Sequence, residues 1–191
     1  MKSTLVNMVA SLLGITFVAS ASVGSVYMLT KEPIAQAEIL ATNNALTQVL
    51  PSFDTTDLTS TSIDELPTDI YTAKNGDKVV GYAIKSSTMK GFSGLVVLMV
   101  GLSPEGDVIN VNVLSQNETP GLGTKMTDEG NPLLLSVKDK HLADIDLRVK
   151  KDGGDVDALT AATISSRAYA DAMERALKAY NFIVKKGGQN E

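Results

Sequence analysis

The sequence has no cysteine, no tryptophan, one histidine and few aromatic residues. Without cysteine there is no thiol nucleophile, no Cys-ligated zinc, no iron–sulfur ligation, no disulfide and no lipid-bearing cysteine anchor. A domain of this size folds without disulfides, so this absence does not decide the compartment. The lone His141 excludes a poly-His metal site. It shows none of the recognised metal-ligand spacings and reads as a surface or structural residue. Aromatics at 5% argue against a stacking platform for single-stranded nucleic acid. A basic block is missing too. Beyond residue 31 the chain carries 15 basic and 22 acidic side chains, a net of −7, which repels phosphodiester backbones and argues against nucleic acid as a partner.

What is present is enough chain for one domain and a tether: 191 residues, 43% hydrophobic and too rich in Val, Ile and Leu to be disordered. From Leu5 to Leu29 no residue is charged. A helix of that length spans about 37 Å, more than the roughly 30 Å hydrocarbon core. Ala19-Ser20-Ala21 is a signal-peptide-like cleavage motif, but the apolar run continues past it to Tyr27, Met28 and Leu29, so a retained anchor over 1–31 is the expectation. Lys2 lies on one side, while Lys31 is offset by Glu32 on the other. This bias favours the N-terminus inside and the domain on the extracytoplasmic, periplasmic side of the inner membrane, as a single-pass protein. Ala10/Gly14 and Ser20/Gly24 are small residues four apart, which permits close packing with other membrane helices.

The remainder reads as α+β: a small, mostly antiparallel sheet with flanking helices. Residues 32–69 form a helical and loop connection, helical to about Val49, closed by Pro51, then a Thr/Ser/Asp-rich solvated loop over 52–69. Residues 70–184 form the domain proper. Ile70–Lys74 and Lys78–Lys85 flank Asn75-Gly76-Asp77, a hairpin signal. Leu95–Leu102 suits a central strand. After the Pro104–Asp107 turn, Val108–Leu114 alternates, with Ile109, Val111 and Val113 on one face and Val108 and Leu114 on the other. A meander of three or four strands is expected. The last helix places Ala168/Tyr169, Ala172/Met173, Ala176/Leu177 and Tyr180 on one stripe, with Glu174 and Lys178 as an i,i+4 pair. Residues 185–191 read as a disordered tail.

Two stretches exceed what a core needs. Ser115–Lys125 offers Pro120, Gly121 and Gly123, a lean backbone that a ligand can approach; taken alone, a plain tight turn is the better reading of it. Asp155–Arg167 precedes the last helix and strings together the hydroxyls of Thr160, Thr163, Ser165 and Ser166. Helix N-termini hold phosphates through unpaired N–H groups and the dipole. Simple N-capping accounts for one hydroxyl only.

Asp157-x-x-Thr160-Ala161-Ala162-Thr163 resembles the D-x-x-[S/T]-G-A-T signature of the FMN-binding domain family. Gly81-Tyr82-Ala83, Gly91-Phe92-Ser93-Gly94, the strand pair around Pro104–Asp107 and Glu118–Gly123 are similar to that family in the same order, so the likeness runs from about residue 5 to 182. In length and layout the chain looks most like the G-subunit family of the Rnf ion-translocating complexes, and less like the longer C subunits of sodium-pumping NADH:quinone reductases. The resemblance implies a covalent FMN, attached by a flavin transferase through its phosphate to Thr163. It implies that Asp157, Thr160, Ala161 and Ala162 form the segment the transferase recognises, that Thr160, Ala161 and Ala162 also belong to the cofactor site, and that Glu118, Thr119, Gly121, Leu122 and Gly123 line the flavin site. It further implies a redox subunit with little turnover alone, working beside other membrane subunits of a ferredoxin/NAD oxidoreductase, with no catalytic side chain and no metal of its own. Ala161 departs from the family, which has glycine there; where that position takes positive φ, alanine costs about 1 kcal/mol. The residues by themselves leave two rival readings open. One is an anchored binding or scaffolding domain without flavin, with TAAT as an N-cap and TPGLG as a turn. The other is a flavin reductase acting alone.

Overall fold

The computed structural model describes residues 4–187. A single helix, α1, runs from Leu5 to Val49, and the chain divides into two units, one reaching Thr42 and one starting at Asn43. From Leu5 on, the N-terminal unit is helix, long and apolar enough to cross a membrane, with Leu5, Leu12, Phe17 and Leu29 all exposed. Four of its hydroxyls are matched internally. Thr16, Ser22, Ser25 and Thr30 each donate to the carbonyl four residues back, at 2.7–2.9 Å. A hydroxyl bonded in this way presents no unsatisfied donor to hydrocarbon.

The second unit holds a five-stranded antiparallel meander in sequential order: β1 Thr55–Ile63, β2 Leu66–Asn75, β3 Lys78–Gly91, β4 Gly94–Leu102 and β5 Val108–Ser115. The expected β2–β3 hairpin is present, with Asn75 paired to Lys78 and Gly76 at φ +58°. Residues 52–69, expected to be a solvated loop, instead supply all of β1 and the start of β2, so the sheet has five strands. Over its second half β1 alternates with period two, Thr59, Thr61 and Ile63 half-buried and Ser60 and Ser62 exposed. That signal was hidden because threonine occupies inward positions. The hairpin turn is Asp64-Glu65, both at positive φ (48° and 69°), a geometry that usually recruits Asn-Gly. Tertiary contacts hold it: Arg175 Nη1 donates to the Ile63 carbonyl at 3.0 Å, and Lys178 Nζ to the Asp64 carboxylate at 2.9 Å.

One face of the sheet packs on the last helix, α3, Thr163–Gly187. Ile70, Ile84, Val96, Leu98, Val100 and Leu102 meet Ala168, Tyr169, Ala172, Met173 and Ala176, all essentially buried. Small residues on the helix let it lie close over large ones on the sheet. The expected Glu174–Lys178 pair forms at 3.3 Å. Of the expected tail, 185–187 lie in α3, and 188–191 fall outside the described residues.

The opposite face takes the end of α1. Ala45, Leu46, Val49 and Leu50 pack on Ala73, Ala83 and Met99. A Cβ on Gly101 would stand 1.9 Å from the Val49 carbonyl oxygen, so this strand accepts the helix only because it has no side chain there. Asn110 and Asn112 complete the seam by donating to the Gln48 carbonyl (3.0 Å) and Oε1 (2.5 Å). The alternation expected for β5 is broken. Leu102 pairs with Val108 but Gly101 with Asn110, so Ile109 is bulged and Val108 turns to the same core as Val111 and Val113. A short helix, α2 (Pro132–Val137), is capped by Asn131, whose side chain accepts the Leu134 N–H at 3.0 Å.

Candidate functional site

Three segments converge on Glu118: the turn between β3 and β4, the loop after β5, and the head of α3. This residue is 3% exposed, and its carboxylate accepts from the Phe92 N–H (3.2 Å), the Ser93 N–H (3.0 Å) and the Ser165 hydroxyl. A buried carboxylate without partners would cost several kcal/mol; three donors offset that cost and make Glu118 the joint of the site. The packing leaves no room beside it. A Cβ on Gly91 would lie 2.7 Å from Glu118 Oε1, and one on Gly123 would lie 2.5 Å from Ser165 Oγ and 2.6 Å from Glu118 Cβ. Between them the chain turns at Gly121 (φ +73°), with the Gly121 N–H donating to Thr124 Oγ1 at 2.9 Å and the Leu122 N–H to the Thr119 carbonyl at 3.1 Å.

The head of α3 is built with equal economy. Ser166, fully buried, accepts the Leu159 N–H at 2.9 Å and donates to the Ala162 carbonyl at 2.9 Å. The Ala162 N–H closes back on the Leu159 carbonyl at 3.2 Å. This turn carries Ala161 at φ +58°, the left-handed region, so the position where the family signature has glycine does adopt the conformation glycine favours. The hydroxyls of Ser165 and Ser166 are therefore consumed by the fold. Among the described residues the hydroxyls of Thr160 and Thr163 have no hydrogen-bond partner.

Thr163 is half-buried as the first residue of α3. It opens on a pocket of about 300 Å³ lined by Thr119, Leu122 and Gly123 from one loop, Ala161, Ala162, Thr163, Ile164 and Ser165 from the other, and Phe92. Phe92, Leu122 and Ile164 form an exposed apolar rim, at 65%, 37% and 47%. The leading N–H groups of a helix have no acceptor one turn back, and the dipole there favours an anion. No acidic side chain lines this pocket. A larger hollow of about 540 Å³ beside Asn110 and Asn112 includes Asp128 and Glu129, and one of about 510 Å³ includes Asp144, Asp155 and Asp157. Both hollows mix these acids with lysines, Lys138 in the first and Lys140 and Lys150 in the second. The Thr163 pocket combines an unpartnered hydroxyl, a helix N-terminus and an apolar rim. These residues suit a phosphate ester carrying a flat apolar ring system.

Of the residues expected at the site, the fold brings together Thr119, Leu122, Gly123, Ala161, Ala162 and Thr163. Glu118 stands behind the lining rather than in it, and Gly121 turns the loop outside it. Thr160 is exposed at the apex of the turn, also outside. Asp157 lies apart. Its N–H donates to Ser136 Oγ at 2.7 Å and its carboxylate pairs with Lys150 at 2.7 Å. The Lys150 ammonium beside it holds the Asp157 carboxyl below the ordinary carboxylate value. Phe92, Ile164 and Ser165 were not singled out as pocket residues. Phe92 carried a usable signal, an aromatic in a glycine-flanked turn where no core needs one, and Ser165 carried one as a member of the hydroxyl run; Ile164 carried none.

This geometry belongs to a recognisable class. The family model for the FMN-binding domain matches residues 91–178, the stretch from the Phe92 turn through most of α3. Relatives match across nearly the whole chain. The G subunit of the ion-translocating oxidoreductase complex of Shewanella amazonensis is 35% identical over 177 residues, 86% of this chain and 82% of its own. Its namesake from Vibrio atlanticus is 34% identical over 179 residues, 85% of each chain, and that from Escherichia coli 32% over 163 residues, 80% and 79%. The chain belongs to the family of G subunits of ion-translocating oxidoreductase complexes.

Proposed function

We propose that this chain is the membrane-anchored redox subunit of an ion-translocating Rnf-type ferredoxin/NAD oxidoreductase, carrying FMN as a phosphoester on Thr163. The observation that carries this reading is the Thr163 hydroxyl. It is the one unpartnered hydroxyl at the head of α3 that also lines the apolar-rimmed pocket. In the transfer, Thr163 Oγ1 forms a bond to the flavin-side phosphorus of a flavin dinucleotide presented by a transferase. The donor's phosphoanhydride P–O bond breaks, the nucleotide phosphate leaves, and the hydroxyl proton passes to base or solvent; no electron changes hands. When bound, the flavin supplies the one- and two-electron chemistry.

This chain's residues bind and orient. The N–H groups at the start of α3 would hold the phosphate, Ala161 and Ala162 would leave the approach to Thr163 low, and Phe92, Leu122 and Ile164 would offer a surface for the ring. Glu118 holds the two loops in register from behind. The pocket is shallow and open, which suits a relay that meets a donor and an acceptor on other membrane subunits better than an enzyme enclosing a substrate. A retained α1, with the domain extracytoplasmic, makes a covalent link useful, since a dissociated cofactor would be lost from that side.

The test is the intact mass and in-gel fluorescence of the full chain from its native membrane. Thr163→Ala removes the flavin mass and the fluorescence that survives SDS. Equal fluorescence in wild type and variant would sink the assignment, and an unshifted wild-type mass would favour an anchored scaffold instead.

A further inference from the structure

The segment 157–166 is pinned at both ends, by its own Ser166 and by side chains from elsewhere, while its apex is bare. At the helix end Ser166 pins the Leu159 N–H and the Ala162 carbonyl. At the other end stands a clamp. Ser136, in α2 and 5% exposed, accepts the Asp157 N–H at 2.7 Å and lies 3.3 Å from the Asp157 carboxylate. Lys150 pairs with the same carboxylate at 2.7 Å. Lys140 Nζ closes on the Ser136 carbonyl at 2.6 Å and fixes the C-terminal end of α2. Between the anchors Thr160 and Ala161 are exposed, and Ala161 sits at φ +58°. A non-glycine residue persists there only when its surroundings over-determine the backbone.

We propose that Ser136 and Lys150 are positioning residues for the modification of Thr163. They hold Asp157, and through it the turn 158–162, in the single shape that offers the Thr163 hydroxyl to the transferase. Asp157 then acts by shaping the turn and not as a contact the transferase reads. This inference rests on the reading of Thr163 given above. Its physical basis is pre-organisation: a loop already in its reactive shape loses no conformational freedom on binding, and misplacement by an ångström costs rate steeply. The Lys150 and Asp157 side chains are 59% and 45% exposed, so their pair contributes little to global stability. Its removal moves the turn without unfolding the domain.

The experiment measures the initial rate of covalent flavin incorporation into the purified full chain by a flavin transferase with flavin dinucleotide, read by intact mass across chain concentrations. Lys150→Met and Ser136→Ala each lower the rate on the order of tenfold, and Lys150→Arg restores it. The double variant Lys150→Met/Asp157→Asn is no slower than Asp157→Asn alone. Amide hydrogen exchange of the flavin-free chain rises over 158–163 in Lys150→Met while its Tm stays at the wild-type value. Wild-type rates in Lys150→Met and Ser136→Ala, with Asp157→Asn inactive, would overturn the proposal, because Asp157 would then be read directly. If Ser136→Ala fails to fold, Lys150→Met decides. If the wild-type chain accepts no flavin, the Thr163 reading fails instead, and amide exchange unchanged by Lys150→Met would independently overturn the clamp.

Discussion

The apex of the turn before α3 and the layer beneath it are built from the same residue types and behave oppositely. Beneath, Ser165 and Ser166 are buried and each hydroxyl is bonded, to Glu118 and to the Leu159–Ala162 turn. Above, Thr160 and Thr163 are exposed or half-exposed and bond to nothing among the described residues. The lower pair carries structure, and its satisfaction is what leaves the upper pair available for chemistry. Composition alone does not separate them, since all four stand within seven residues of one another.

The largest expected effect separates the layers outright. Thr163→Ala abolishes covalent flavin while leaving the Tm of the flavin-free chain unchanged, read by intact mass and thermal melting; a matching loss of stability would mean Thr163 belongs to the lower layer. Glu118→Ala does the reverse. It strands the Phe92 and Ser93 N–H groups and the Ser165 hydroxyl, and should cost about 3 kcal/mol by denaturant titration. Gly123→Ala forces a methyl against Ser165 Oγ and Glu118 Cβ and should cost about 2 kcal/mol, checked on the same titration. Ala161→Gly sharpens the contrast from above: it relieves the left-handed alanine and should raise stability by about 1 kcal/mol. A Tm no higher than wild type would show that the turn gains nothing from glycine.

The smallest effect is on the acid limb. Burial pushes the Asp171 carboxyl up, but hydrogen bonds from Lys90, Thr88 and Arg175 outweigh it and hold the value below the ordinary 3.8. A depressed folded value contributes stability above 3.8 that is lost as pH falls through it. Asp171→Asn should therefore flatten the loss of stability below about pH 4, measured by Tm against pH, and leave flavin attachment intact.

The core was legible where its period was carried by large aliphatic residues, as along Leu95–Leu102 and Ala168–Tyr180. It was illegible in β1, where threonine fills inward positions, and in β5, where a bulge at Ile109 reverses the alternation. The site divides in the same way. The run of hydroxyls at the start of the last helix was legible because it has a local physical meaning, and Thr163 stood out within it only through the family signature. Ile164 was not legible, because nothing local distinguishes a pocket rim from an exposed apolar residue.

What the sequence by itself determined is therefore the local part: an uncharged span long enough to cross a membrane, an antiparallel meander, an amphipathic last helix and a hydroxyl at its head. Each follows from residue type and spacing within one segment. Only the tertiary structure decided which hydroxyls are spent and which are offered. Ser165 is consumed because Glu118, distant in sequence, needs a third donor. Ala161 takes a left-handed backbone because Ser166 fixes one end of its turn and Ser136 and Lys150 the other. The Ser165–Glu118 and Ser136–Asp157 bonds span 47 and 21 residues, beyond any local window of sequence.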